Sequence, residues 1–230
     1  MKISKDTLTI IKNYSSIHNN LLLNGDILKT VNDGKSLVAF AKIPEKFPEF
    51  GIWNLQEFLA AIALFNNPEW HFEDEDPAKY VIIDGGERRL KYFAAAKKTL
   101  LFPKKDKLDF PDSKIDFELP KDILDNVKNA CRILQVPTIS VIGDGKTLRL
   151  AVKKKNVDSV NYYEEDLGDT KEKFQIHFEA DHFEIIPADY SVSITTKGIS
   201  RFTRNSAEGE NKLEYFLSVD GDTNFGTAGK

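Results

Sequence analysis

The chain has 230 residues, of which 41% are hydrophobic and 30% are charged, and its net charge at neutral pH is −4. This composition excludes a disordered chain, and the acidic balance argues against binding of nucleic acid through bulk positive charge. The single cysteine, Cys131, excludes intramolecular disulfides and cysteine-based zinc clusters, and we interpret it as a buried helix residue.

The first half of the chain predicts two helices and five strands. The apolar stripe of Ile10, Tyr14 and Ile17 indicates a helix, Asn32-Asp33-Gly34 is a strong hairpin turn, and Asn54 is a suitable N-cap. The predicted elements are a helix over 5–18, strands at 21–31 and 36–43, a helix over 55–65, and strands at 69–74, 79–84 and 88–95.

A proline- and lysine-containing stretch at about 97–111 is interpreted as a connector, after which the pattern begins again. The predicted elements of the second half are a strand at 114–118, a helix over 120–134, a hairpin through 143–145, strands at 158–165 and 172–178, a short helix at 180–187, strands at 189–197 and 212–219, and a frayed tail over 220–230.

The two halves of the chain repeat one sequence pattern. The turn Asp33-Gly34-Lys35 recurs as Asp144-Gly145-Lys146, 111 residues later (144 − 33), and each copy follows an amphipathic helix. We therefore expect two similar domains, 1–107 and 108–230, of the α+β class, with helices packed on antiparallel sheet. The repeat does not favour a fold built around a single active site.

The repeated Gly-Lys pairs look like the end of a phosphate-binding loop, but the glycine required five places earlier is replaced by Lys29 and Ser140. We expect both pairs to be hairpin turns. The four histidines share no metal-ligand spacing, and the acidic runs at 73–76 and 164–166 lack the pattern of a calcium loop. No catalytic motif is present, so we expect no enzyme activity, no metal and no cofactor.

Membrane association is not expected either. No apolar run approaches the roughly 20 residues that span a bilayer, and the first residues contain no apolar signal core. These two features predict a cytosolic protein.

The helix that opens each half carries basic residues opposite its apolar stripe. The two other predicted helices do not: 55–65 contains no lysine or arginine, and 180–187 contains Asp181 and Glu184. A localised positive surface of this kind suits sequence-independent contact with phosphates, although Asp125 dilutes it and a merely solvated face remains an alternative. The candidate DNA-facing residues are Lys2, Lys5, Lys12, Lys121, Lys128 and Arg132.

Several short motifs, in the same order along the chain, resemble the sliding clamps of large tailed bacteriophages, which are DNA polymerase processivity factors. The resemblance spans nearly the whole chain, although each motif alone is weak. The motifs are Met1-Lys2-x-Ser4-Lys5-Asp6-Thr7 with Lys12-Asn13, Leu55-x-x-Phe58-Leu59, Phe110-Pro111, Leu134-Gln135-x-x-Thr138-Ile139, Ile186-Pro187-x-Asp189-Tyr190 and Lys197-Gly198. The acidic stretch 73–79 and the segment 199–212 depart from the pattern.

This resemblance implies a ring-shaped homotrimer in which six domains surround duplex DNA, with helices lining the hole. It further implies an ATP-driven loader, a DNA polymerase as partner and a location in the cytoplasm of the infected bacterial host. By similarity, head-to-tail contacts would join Phe93 of one subunit to the strand near Tyr162 and Tyr163 of the next. A partner peptide would insert near the connector, at Phe102, Leu108, Phe110 and Pro111.

One alternative of a different class remains open. The same residues are compatible with a tandem-domain protein-interaction scaffold that never touches DNA and owes its basic faces to solubility. Retention on circular but not on linear DNA distinguishes the two hypotheses.

Overall fold

The computed structural model describes residues 1–73, 76–154, 161–206 and 211–225. By its internal contacts the chain divides into two compact units, the first made of Met1–Leu108 with Ser206–Glu214 and the second of Asp109–Asn205 with Tyr215–Lys230. Both units combine helix with antiparallel sheet, which confirms the predicted fold class. The domain limits of 1–107 and 108–230 stay a prediction.

The described residues of Met1–Leu108 form two helices and five strands. They are α1 (Lys5–Ile17), β1 (Leu21–Val31), β2 (Leu37–Ile52), α2 (Leu55–Ile62), β3 (Glu69–Phe72), β4 (Tyr80–Asp84) and β5 (Arg89–Phe93). Strands β1 and β2 form a long antiparallel hairpin, and β4 lies between β3 and β5 in a separate sheet. The predicted connector begins with a 3-10 turn at Lys97–Thr99.

From Asp109 onwards, the residues that the structure describes form one helix and eight strands. They are β6 (Ile115–Leu119), α3 (Lys121–Leu134), β7 (Thr138–Asp144), β8 (Thr147–Val152), β9 (Tyr163–Asp169), β10 (Lys173–Glu179), β11 (Tyr190–Ile194), β12 (Ile199–Arg204) and β13 (Lys212–Ser218). One antiparallel sheet has the order β10-β7-β8-β9, and β11 pairs with β6 on one side and β12 on the other. The first residues of the strand predicted at 158–165 lie outside the described residues.

Both long helices bury one face and are capped at their first turn. In α1 the buried residues recur at helical spacing, as Thr7, Ile10, Ile11, Tyr14 and Ile17, and the Ser4 hydroxyl accepts a hydrogen bond from the Thr7 amide (3.2 Å). In α3 the buried residues are Leu124, Val127 and Ala130, and the Lys121 amide donates to Asp189 Oδ1 (2.7 Å). The faces opposite these stripes are therefore turned to solvent.

Both Gly-Lys pairs lie in hairpin turns, as predicted. Asp144 Oδ1 accepts hydrogen bonds from the amides of Thr147 (2.8 Å) and Lys146 (2.9 Å), which lower the pKa of this carboxyl to about 2. Gly145 has a φ of +88°, a conformation that disfavours residues with a Cβ. The turn is thus fixed by its own aspartate and is followed by a strand, which leaves no helix N-terminus to hold a phosphate.

The prediction of a helix at 180–187 is wrong, because the structure has only a 3-10 turn at Ala180–His182 in this segment. The backbone of Ile186 bonds to side chains of two strands that follow it. Its carbonyl accepts from the hydroxyl of Tyr190, four positions on (2.6 Å), and its amide donates to the hydroxyl of Tyr215, 29 positions on (3.3 Å). Pro187 further restricts the residue before it to extended conformations. Tertiary hydrogen bonds therefore replace helical ones here.

The end of the chain also differs from the prediction. The strand predicted at 189–197 ends at Ile194, the chain reverses at Gly198 (φ +80°), and it returns as β12, which the prediction missed. The described part of the predicted frayed tail is paired, since Asn224 exchanges two backbone hydrogen bonds of 2.7 Å with Gln175 of β10. Residues 226–230 lie outside the described residues.

Candidate nucleic-acid interface

The outward face of α1 carries two lysines. Lys5 and Lys12 are exposed, lie seven positions apart opposite the buried stripe, and have no ion-pair or hydrogen-bond partner for their ammonium groups within the described part of the chain. Lys2 precedes the helix and is also exposed, with its Nζ 3.7 Å from Glu69 Oε1. The structure therefore places the three predicted residues of the first unit in solvent.

The outward face of α3 carries both signs of charge. Lys121 and Arg132 are exposed, and the Arg132 guanidinium donates to Asn129 Oδ1 (2.8 Å). Asp125 follows Lys121 by four positions and precedes Arg132 by seven, so all three lie on one face of the helix. Asp122 in the first turn is exposed as well. Acidic side chains therefore accompany the basic ones on this face.

Lys128 differs from the five other predicted DNA-facing residues because it is half-buried. Its ammonium donates to the backbone carbonyl of Ile185 (3.0 Å). Burial lowers the pKa of Lys128, and the carboxylates of Glu184 and Asp125 oppose this shift. The side chain thus leans from α3 onto the segment before β11.

A groove of about 590 Å³ runs along this side of α3, and the sequence analysis did not anticipate it. Its walls include Cys131, Phe183 and Glu184. Cys131 is half-buried, and burial raises the pKa of its thiol to about 11, so the thiolate that reacts with electrophiles is scarce at neutral pH. Ala180 and Asp181 of the 3-10 turn also line the groove.

The predicted subunit contacts lie on strands at the edges of two sheets. Within the part of the chain that the structure describes, β5 pairs only with β4 and β9 only with β8. Phe93 on β5 is 66% exposed, and Tyr162, just before β9, is 63% exposed. The Tyr163 hydroxyl donates to Glu165. Both strands therefore present unpaired backbone groups of the kind that accept a further strand.

Opposite charges line the exposed sides of these two edge strands. On β5, Arg89 and Lys91 alternate with inward residues, and the Lys91 ammonium lies 3.6 Å from the centre of the Tyr80 ring. On β9, the corresponding exposed positions hold Glu164 and Asp166. Sequence reasoning missed this feature, although the basic residues that alternate along 89–91 and the acidic run at 164–166 are its visible signal.

The predicted peptide-binding residues are divided between the two units, with Phe102 and Leu108 in the first and Phe110 and Pro111 in the second. Phe102 lines a groove of about 570 Å³ in the first unit, where the Lys29 ammonium lies 5.8 Å from its ring centre and 2.7 Å from Asp106 Oδ1. Phe110, in the second unit, is covered by the Arg201 guanidinium, 4.6 Å from its ring centre. Leu108 is exposed and Pro111 is half-buried.

Curated relatives decide the family. The chain is 31% identical to a protein named sliding clamp from Vibrio phage KVP40, over 96% of this chain and 99% of the relative. It is also 29% identical to the sliding clamp of Escherichia phage RB69, over 76% of this chain and 73% of the relative, and 24% identical to that of Enterobacteria phage T4, over 97% and 98%. The chain belongs to the bacteriophage sliding clamp family. The resemblance read from its motifs is thereby confirmed.

Solved structures agree on the fold of this clamp. It is similar to the PCNA of A. fulgidus, solved with the C-terminal region of FEN-1 bound, with a TM-score of 0.67 over 93% of this chain and 94% of that chain at 11% identity. It is likewise similar to PCNA from Thermococcus kodakaraensis, with a TM-score of 0.62 over 93% and 95% at 8% identity. No protein-family model matches the chain. The clamp fold thus persists where little sequence identity remains.

Family membership gives the function in outline: this chain is a DNA sliding clamp that serves polymerase processivity. Among the described residues there is no cluster of histidine, cysteine or carboxylate side chains able to hold a metal. No helix in that part of the chain is long and apolar enough to cross a bilayer.

The environment of Lys128 generates a prediction that separates it from the other basic residues of the clamp. Lys128→Met keeps most of the side chain but leaves the Ile185 carbonyl without its donor, so we expect a loss of about 1–2 kcal/mol in the free energy of unfolding. Urea denaturation followed by circular dichroism measures it. The matched control is Lys121→Met, at an exposed position of the same helix, for which we expect a change within about 0.5 kcal/mol. Unchanged stability together with reduced DNA retention would instead make Lys128 a DNA contact.

Proposed function

We propose that this clamp acts as a homotrimeric ring that encircles duplex DNA, is loaded by an ATP-driven loader in the cytoplasm of the infected host, and tethers the DNA polymerase without catalysing a reaction. The observation that carries the proposal is the orientation of the long helices. Their apolar stripes pack on sheet, so Lys5, Lys12, Lys121 and Arg132 are left on outward faces that a ring can turn towards DNA.

Weak attraction suits such a ring. Exposed lysines interact with phosphates through water and counterions, and salt screens this attraction beyond about 8–10 Å. A few such contacts keep the duplex centred without anchoring it. Retention then comes from topological enclosure, and net acidity elsewhere on the chain does not interfere with it.

The first test compares circular with linear DNA. We expect the clamp, loaded by its cognate loader with ATP, to stay on nicked circular DNA during gel filtration and to be lost when that DNA is linearised. A variant with Lys5, Lys12, Lys121 and Arg132 replaced by glutamate should load poorly, because it repels phosphates, yet keep its oligomeric mass.

The control for this test reverses exposed lysines at the hairpin turns, Lys35→Glu and Lys146→Glu, and should load like the unmodified clamp. Equal retention on circular and linear DNA would favour the interaction scaffold. Loss of the oligomer in the helix variant would mean that its four basic residues are structural.

Ring closure, in this proposal, joins β5 of one subunit to β9 of the next. A head-to-tail contact of this kind generates a closed ring when the rotation between subunits closes. The basic side chains of Arg89 and Lys91 would then meet the acidic ones of Glu164 and Asp166, and backbone groups at both edges would gain partners.

A charge reversal tests this contact. Arg89→Glu with Lys91→Glu, or Glu164→Lys with Asp166→Lys, should weaken assembly about tenfold or more, because like charges then face each other. All four changes in one chain should restore it. Light scattering measures the mass against multiples of 26.1 kDa. Lys114→Glu, at an exposed position before β6, is the control; a failure of the combined variant to recover would contradict the pairing.

The partner peptide, in this proposal, binds the groove at Phe102. That ring lines an open groove with Lys104 and with the ion pair of Lys29 and Asp106, whereas Phe110 is already covered by Arg201. An aromatic wall beside cations suits an apolar anchor with acidic neighbours.

Alanine substitutions distinguish the two phenylalanines. We expect Phe102→Ala to weaken binding of the cognate polymerase about tenfold or more in surface plasmon resonance, because the anchor loses its wall. Phe110→Ala serves as the comparison and should bind nearly as well as the unmodified clamp. The reverse order of effects would move the peptide site to Phe110.

A further inference from the structure

The two long helices differ in the net charge of their outward faces. On α1, Lys5 and Lys12 stand with the neutral side chains of Thr9 and Ser16, and the one acidic residue of that helix, Asp6, is engaged by the Asn211 amide (2.8 Å). The exposed face of α1 therefore presents two positive charges with no carboxylate between them.

On α3 the charges offset each other. Lys121 is followed directly by Asp122, and Asp125 lies between Lys121 and Arg132 on the same face. The third basic residue, Lys128, is turned aside onto the Ile185 carbonyl. Two exposed cations thus share this face with two carboxylates.

The surroundings of α3 add further negative charge. The groove beside the helix is lined by Asp181 and Glu184 as well as by Asp125. In the first unit α2 carries one exposed acidic residue, Glu57, and in the second unit the 3-10 turn Ala180–His182 carries Asp181. Phosphates approaching α3 would meet these carboxylates within the distance over which salt leaves charges unscreened.

We infer that α1 supplies most of the electrostatic attraction to DNA and that Asp122 and Asp125 make the α3 face nearly neutral, so that a ring attracts phosphates at alternate domains. This inference rests on the proposed encirclement of DNA and specifies which of its surfaces contact the duplex. The sequence repeat suggests that the two helices attract DNA equally, but the carboxylates of α3 lower the net positive charge of its outward face. Alternating attractive and neutral surfaces reduce the number of phosphates neutralised at once, which favours sliding over anchoring.

Salt dependence of DNA binding tests the inference directly. We measure binding of the intact clamp to a labelled duplex by fluorescence anisotropy over a series of salt concentrations. The slope of log affinity against log salt concentration decreases in magnitude by about 0.9 for each phosphate that the clamp no longer neutralises. Lys5→Gln with Lys12→Gln should flatten this slope markedly. Lys121→Gln with Arg132→Gln should change it little.

Removing the carboxylates should have the opposite effect. We expect Asp122→Asn with Asp125→Asn to raise the affinity at low salt by about twofold for each charge removed, the scale of a screened unit charge near a phosphate. The control, Asp112→Asn with Glu172→Gln, makes the same change in net charge at exposed positions outside the helices and should leave the affinity unchanged. Circular dichroism checks that α3 is intact in each variant.

The inference would be overturned if the α1 variant (Lys5→Gln with Lys12→Gln) and the α3 variant (Lys121→Gln with Arg132→Gln) flattened the salt slope equally. It would also be overturned if Asp122→Asn with Asp125→Asn raised the affinity no more than its control. Either result would leave the proposed encirclement of DNA intact. Absence of salt-dependent binding in the unmodified clamp, with equal retention on circular and linear DNA, would instead remove the proposed function itself. The two failures are therefore distinguishable.

Discussion

The buried hydroxyl of Thr7 connects three separate stretches of the first unit. It donates to Glu45 Oε2 (2.7 Å) and accepts from the Ser4 hydroxyl (2.9 Å) and the Asn211 amide Nδ2 (3.0 Å). Because a buried polar group without a partner costs free energy, this network holds the first turn of α1 in one rotation about its axis. The same rotation sets Lys5 towards solvent. The placement of the basic face is thus a consequence of polar packing underneath it.

The motifs that relate this chain to other clamps belong largely to such networks. Ser4 and Thr7 start α1, and Asp189 receives the Lys121 amide at the start of α3 while its own carbonyl accepts from the Asn205 amide (2.9 Å). Tyr190 holds the Ile186 carbonyl. The motifs therefore include residues that orient helices, together with Lys5 and Lys12 on the outward face of α1.

Local patterns predicted the elements whose stability is local. The stripe of Ile10 and Tyr14, the cap at Asn54 and the Asp144 turn each act within a few residues, and the structure has α1, α2 and the hairpin where these signals lie. The segment at 180–187 could not be predicted in this way, since the Ile186 amide bonds to the hydroxyl of Tyr215, which lies 29 positions on in β13. The orientation of the Lys128 side chain could not be predicted from local patterns either. Helical spacing places it near the basic face, but its ammonium donates to the carbonyl of Ile185, which is distant in sequence.

Internal duplication of a fold does not require duplication of its charge. The two units need the same amphipathic helix because each must bury an apolar stripe, and this need explains why the stripe repeats. No such need acts on the outward faces, where α1 has two unopposed lysines and α3 has two carboxylates among its basic residues. A protein held on its ligand by enclosure gains nothing from strong attraction and slides less easily with it. Since retention by enclosure does not depend on affinity, both helices can keep a buried apolar stripe while their outward faces differ in charge.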